Sequence, residues 1–131
     1  RGGQFRSNDT EYLSDDRLKW DEEPITGALN TIMKLKPQVY NKYTEYNVED
    51  PSIRPTELGN GKKEFGFIAQ EVQEIEELSH LVGTDLNYLT PEMPIYALNY
   101  NGIFVLAVKA IQELKLEVET LKTQIAELTS S

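Results

Sequence analysis

Residues 104–131 read FVLAVKAIQELKLEVETLKTQIAELTSS, and this stretch decides the architecture. Phe104, Ala107, Ile111, Leu114, Val118, Leu121, Ile125 and Leu128 follow at spacings of 3, 4, 3, 4, 3, 4 and 3. Alternating threes and fours is the a/d signature of a heptad repeat, with Phe104, Ile111, Val118 and Ile125 at a. A helix lying on its own domain drifts toward a ~3.6-residue period, so the strict 3.5 favours helices that associate with one another. Glu117 and Lys122, five apart at flanking g and e positions, can pair between parallel helices. Asn99 is placed to cap the start of the helix. At ~1.5 Å per residue the stretch makes a rod of roughly 42 Å. β-branched residues at a with Leu at d lean toward two strands; Phe104 and Ala107 depart from that rule, so the patterning alone leaves the order open.

Working back from the rod, residues 83–97 are turn-rich, with Pro91 and Pro94. A short helix is expected from Ala69 to about Leu78, after a strand over Glu64–Ile68. Gln38–Tyr46, rich in Val and Tyr, reads as a strand running the other way. Between them residues 47–63 carry Pro51, Pro55, Gly59 and the pair Asn60-Gly61, which suits a tight turn and an extended arm folding back on itself. Pro24 opens a helical stripe of Ile25, Leu29, Ile32 and Leu35, which Pro37 should stop. Residues 1–13, RGGQFRSNDTEYL, are polar and aperiodic and read as the end of something upstream. A chain opening on Arg1 is expected to be a fragment or a processed product.

Composition narrows the function. The 131 residues include 13 Lys+Arg and 22 Asp+Glu, a net charge of −9, and no cysteine. One modest domain fits this length. Disulfide frameworks, thiolate zinc sites and cysteine nucleophiles are excluded, and a lone His80 leaves no multi-histidine metal site. The acidic balance opposes nucleic-acid binding, and the longest apolar run, Gly102–Val108, is far too short for a bilayer. No pattern calls for a metal, a cofactor or a small-molecule substrate. Residues 1–44 are neutral, with seven basic and seven acidic groups; residues 45–85 carry ten acids against three bases, and hold −7 of the total. Glu74, Glu76 and Glu77 lack calcium-loop spacing and read as a solvated helix face.

One cluster invites chemistry: Ser14-Asp15-Asp16-Arg17-Leu18-Lys19-Trp20. A serine hydroxyl needs a base to attack a carbonyl, and a neutral lysine can serve. Lysine ordinarily titrates near ~10.4, so such a base must be desolvated, for which Leu18 and Trp20 are candidate walls. Positions five apart lie about 140° apart around a helix, so contact between Ser14 and Lys19 requires a turn or non-helical backbone. On the residues alone, the alternative is that Ser14 caps a short helix with Asp15 and Asp16 in its first turn. Arg17 is placed to pair with either acid.

Read together, the blocks Ser14–Lys19, Glu23-Pro24-Ile25, Leu35-Lys36-Pro37 before Tyr40, Gly66-Phe67-Ile68-Ala69-Gln70-Glu71-Val72, Leu98-Asn99-Tyr100-Asn101-Gly102 and Ala110-Ile111-Gln112-Glu113-Leu114 resemble, in order, the endosialidase-type intramolecular chaperone domain, peptidase family S74. The resemblance covers about residues 14–128. It implies an α+β, mainly helical small domain with a projecting β-hairpin arm (41–64) and a long C-terminal helix (99–131) in a trimeric coiled coil. Residues 1–13 would then be the end of an upstream passenger and 14–131 the chaperone.

The implied function is to trimerise, guide folding of a viral tail fibre or spike, and then leave by autoproteolysis. The implied partners are two further copies and the stalk of the same polypeptide. The implied setting is a soluble, virus-encoded protein made in host cytoplasm and released from the mature fibre. By position Ser14 is the implied nucleophile, Lys19 its general base and Leu13–Ser14 the scissile bond, with Gln70 and Glu71 as possible supporting groups. At Asp21 this chain departs from the family, which commonly has asparagine there; an amide can donate to a developing oxyanion and a carboxylate cannot. Two other readings remain open: a trimerisation module that never cuts, and a plain coiled-coil interaction domain.

Overall fold

The computed structural model describes residues 13–43, 46–47, 49–55, 61–84 and 95–130. The elements in order are a 3-10 turn at Asp16–Leu18, α1 (Ala28–Ile32), β1 (Gln38–Lys42), β2 (Lys62–Gly66), α2 (Ala69–Gln73), a 3-10 stretch at Glu76–Leu81, β3 (Val82–Thr84), β4 (Tyr96–Leu98) and α3 (Tyr100–Ser130). The chain is thus small and α+β, with a two-stranded hairpin and one long C-terminal helix.

The stripe expected from Pro24 to Leu35 yields a much shorter helix. Gly27 sits in the left-handed region at φ 66°, which no right-handed helix can run through, so α1 begins only at Ala28. The Thr31 hydroxyl bonds the Gly27 carbonyl at 3.1 Å. Lys34 and Leu35 tighten into i→i−3 bonds before Pro37 ends the run. The helix expected over Ala69–Leu78 is likewise divided: α2 closes at Gln73 and tighter 3-10 turns follow from Glu76.

Strands β1 and β2 pair antiparallel from Gln38↔Gly66 to Lys42↔Lys62. Residues 43–61 therefore separate the strands, and the tight turn expected at Asn60-Gly61 falls in part outside the described residues. Asn60 and Thr56–Gly59 lie outside the described residues. Gly61 has φ 70°, and a Cβ there would come 2.7 Å from the Lys42 carbonyl oxygen, so this position just ahead of β2 needs glycine. Strands β3 and β4 form a second antiparallel pair, Val82↔Leu98 to Thr84↔Tyr96. The turn-rich 85–94, with Pro91 and Pro94, falls outside the described residues, as do residues 1–12.

The core is small: Ala28, Val72, Leu78, Ile103 and Ala110, with Thr31 as its buried polar member. It lies where α1 packs on the first turns of α3 and where α2 meets β3 and β4. As expected, Asn99 caps α3, its side-chain oxygen accepting from the Gly102 N–H at 3.2 Å. Helix α3 has two faces. Ile103 and Ala110 are buried and Leu106 and Glu113 half-buried against the chain's own body, whereas Phe104, Ile111, Leu114, Val118, Leu121, Ile125 and Leu128 are exposed. Ala107 is intermediate, and every residue from Leu114 to Ser130 is exposed. Most of the heptad seam is thus open to solvent rather than packed on the core.

Candidate functional site

Residues 13–26 form an exposed segment ahead of α1, and its local folding is set by one acid. Asp15, extended at φ −64° and ψ 136°, caps the 3-10 turn by accepting the Arg17 N–H at 2.8 Å. Its carboxylate also receives Arg17 Nε at 3.0 Å and Nη2 at 2.9 Å. The Arg17 hydrogen bonds hold the Asp15 carboxyl below its ordinary range and, reciprocally, raise Arg17. The cap is therefore Asp15, not Ser14, and the Ser14 hydroxyl stays available. Leu18 and Lys19 donate their N–H groups to the carbonyls of Asp15 and Asp16, at 2.9 and 3.1 Å, and complete the turn.

Lys19 leaves the turn extended, at φ −121° and ψ 125°. That reversal overcomes the separation a regular helix would impose: Lys19 Nζ donates to Ser14 Oγ at 2.5 Å. The two residues singled out for chemistry are brought together, directly after Leu13 in the sequence. The candidate walls are not folded over them, because Leu18 is 62% and Trp20 81% exposed. Asp21 has φ 58°, the one non-glycine residue with positive φ among those described. Asn and Asp tolerate that region better than other side chains.

Gln70 and Glu71 lie elsewhere. Gln70 is exposed on α2, and Glu71 Oε1 accepts from Gln38 Nε2 at 2.7 Å. Among the described residues neither bonds Ser14 or Lys19. Glu71 borders an open groove of about 200 Å³ whose walls include Lys34, Leu35, Phe67 and Ile75.

Other motif residues have structural tasks that spacing did not reveal. Gly66 is buried because the hydroxyls of Tyr40 and Tyr100 converge on it: an added Cβ would meet them at 2.2 and 2.5 Å. Tyr100 takes the Phe67 N–H on its hydroxyl at 2.9 Å, and Tyr40 donates to Glu64 at 2.9 Å. Contact with the Tyr100 hydroxyl, burial and Glu64 together push the Tyr40 phenol well above its ordinary value. Gly102 lies against Leu81, whose Cδ2 a Cβ would meet at 2.4 Å. Glu113 accepts the N–H groups of Leu29 and Ala28, at 2.7 and 3.2 Å, and so caps α1 from α3. Glu77 receives Lys34 Nζ at 2.7 Å and the Thr31 hydroxyl at 3.3 Å. A helix cap supplied from 84 residues away leaves no local pattern in the sequence.

Comparison with known proteins points the same way as these motifs. The Peptidase_S74 family, described as the chaperone of endosialidase, matches residues 14–83, more than half of the chain. The long tail fiber protein Gp37 of Enterobacteria phage M1 is 30% identical over 125 residues, 94% of this chain and 44% of that protein. Its counterpart from Enterobacteria phage Ox2 is 29% identical over 123 residues, 92% of this chain and 43% of that protein. The chain spans less than half the length of these relatives. It belongs to the chaperone-of-endosialidase family, Peptidase_S74.

Proposed function

We propose that this domain is the intramolecular chaperone of a phage tail fibre: it trimerises through α3, guides folding of the stalk upstream, and releases itself by cutting Leu13–Ser14. The observation that carries the reading is the 2.5 Å hydrogen bond from Lys19 Nζ to Ser14 Oγ, immediately after the bond to be cut. The implied setting is a virus-encoded fibre assembled in host cytoplasm, from which the chaperone departs.

The chemistry needs only the chain and water. Ser14 Oγ attacks the carbonyl carbon of Leu13 while its proton passes to a neutral Lys19 Nζ. The C–N bond breaks, and Lys19 returns the proton to the departing Ser14 nitrogen. This leaves an ester joining the Leu13 acyl group to Ser14 Oγ. Water, deprotonated by Lys19, then adds to the ester carbonyl. The Leu13 carboxylate leaves with the passenger, and the Ser14 hydroxyl and a new α-amine stay with the chaperone.

Assembly gates this sequence. In the single chain Lys19 is exposed, with neither Leu18 nor Trp20 folded over it to exclude water. Closing copies around it removes water and fixes the attack geometry, so cleavage follows folding. Once the chaperone leaves, the stalk is held by its unfolding barrier.

A second reading, a trimerisation module that does not cut, draws support from Asp21, an acceptor-only side chain where a donor would serve an oxyanion. Intact-mass measurement on freshly expressed chain separates the two. A new N-terminus at Ser14, lost in Ser14→Ala and Lys19→Met while sedimentation stays trimeric, is the expected result. Trimers that never yield that N-terminus overturn proteolysis.

A further inference from the structure

The block Leu98-Asn99-Tyr100-Asn101-Gly102 contains an Asn-Gly pair that the proposed chemistry does not use. In such a pair the backbone nitrogen most readily attacks the preceding side-chain amide, because glycine places no Cβ beside the nucleophile. Packing shapes this position for glycine. A Cβ at Gly102 would meet Leu81 Cδ2 at 2.4 Å, so the first turn of α3 sits close against Leu81. Asn101 itself is exposed, and its carboxamide stands in the same turn of the helix.

In the folded chain the Gly102 nitrogen is restrained twice. Its N–H is donated to Asn99 Oδ1 at 3.2 Å, the bond that caps the helix. Attack also requires this nitrogen to swing toward Asn101 Cγ, out of the helical ψ of about −42°. Both restraints are lost together when the first turn unwinds, since the cap and the helical backbone support each other.

We infer that Asn101 is a latent deamidation site, held shut in the folded chain by the Asn99 cap and opened when the start of α3 unwinds. In the open state the Gly102 nitrogen gives its proton to hydroxide and bonds to Asn101 Cγ. The Cγ–Nδ2 bond breaks and ammonia leaves, closing a succinimide ring. Water then opens the ring at one of its two carbonyls. Opening at Cγ leaves aspartate. Opening at the main-chain carbonyl leaves isoaspartate, whose backbone runs through Cβ and Cγ and is one atom longer. That extra atom falls between Tyr100, which holds the Phe67 N–H, and Gly102, which seats against Leu81, so the two ties fall out of register. A chain whose α3 start stays open long enough to react therefore loses the seat of the long helix for good.

Peptide mapping after incubation in mildly alkaline buffer tests this on the chain as it stands. Aspartate and isoaspartate arising from Asn101 are counted in native chain and in urea, where Asn60-Gly61 reacts alongside as a reference for the same chemistry. Native chain should react at Asn101 more slowly than unfolded chain by roughly tenfold or more. Asn99→Ala removes the acceptor and should raise the native rate roughly fivefold, the share of stability that such a cap usually carries. Asn99→Asp keeps an acceptor for the same N–H and should keep the protection. Equal rates in native and unfolded chain overturn the inference. So does a folded Asn99→Ala chain that reacts as slowly as the parent. Should Asn99→Ala fail to fold, Asn99→Asp still decides, because a rate matching unfolded chain in that variant overturns the guarding role of the cap.

Discussion

The carboxylate of Glu113 receives the backbone N–H of Leu29 at 2.7 Å, binding the helix that follows the Ser14–Lys19 segment to the helix that carries the heptad seam. Leu114, the next residue, belongs to that seam. A single step along α3 thus passes from a contact within the chain to one proposed between chains, and several predictions grow from this adjacency.

Glu113 should make stability depend on acid. The Leu29 N–H, then the Ala28 N–H and the Lys109 charge, hold its carboxyl below the ordinary 4.5 against the opposing effect of burial. Glu77 is lowered in the same sense, chiefly by its Lys34 hydrogen bond. A depressed carboxyl stabilises the fold fully above the unfolded value and loses that contribution as pH falls through the folded one. Melting temperature at fixed chain concentration should be flat from neutrality to about pH 5 and fall below it. Glu113→Gln should melt lower than the parent at neutral pH and converge with it in acid. Parallel curves at every pH would show that the carboxylate charge is not what holds α1.

Gly66→Ala should destabilise by about 1–3 kcal/mol in urea unfolding, because its methyl collides with two tyrosine hydroxyls. Adding Tyr40→Phe removes one of them, so the double variant should lose less than the two single losses combined. Strict additivity would mean that the hydroxyls do not crowd this glycine.

Leu114 and Leu121 are 47% and 56% exposed, so replacing both with Asp should leave the core intact. Sedimentation should nevertheless fall from trimer to monomer, and cleavage to less than about a tenth of the parent rate. Monomers that cut at the parent rate would end the idea that assembly gates the chemistry.

Asp21→Asn should raise cleavage by roughly tenfold or more, since the amide can donate to the developing oxyanion. The backbone at φ 58° already suits asparagine, so no loss of stability should accompany the gain. An unchanged rate would remove Asp21 from any account of the chemistry.

The long helix, its Asn99 cap and the pairing of Gln38 and its neighbours with the returning strand were legible in the sequence, from a sustained period, a local cap residue and strand composition. The Ser14–Lys19 pairing was implied by the family resemblance, since the residues alone left Ser14 equally open to a capping role. The length of α1 was not legible, because the apolar stripe runs back to Ile25 while Gly27 turns the backbone left-handed. Nor were the tasks of Tyr100 and Glu113, whose partners lie 33 and 84 positions away. Among the candidate site residues, Ser14 and Lys19 converge through a local turn, whereas Gln70 and Glu71 were grouped with them by motif order alone.

The adjacency of Glu113 and Leu114 sets the helix in phase. One residue inserted between Ala110 and Leu114 turns everything beyond it by about 100°, which swings the cap off α1 or the seam off the packing proposed for it. Past Leu114 no such double reading exists, since every described residue there is exposed. The tail can therefore gain or lose length in steps of seven, while the four residues from Ala110 to Glu113 keep a fixed count.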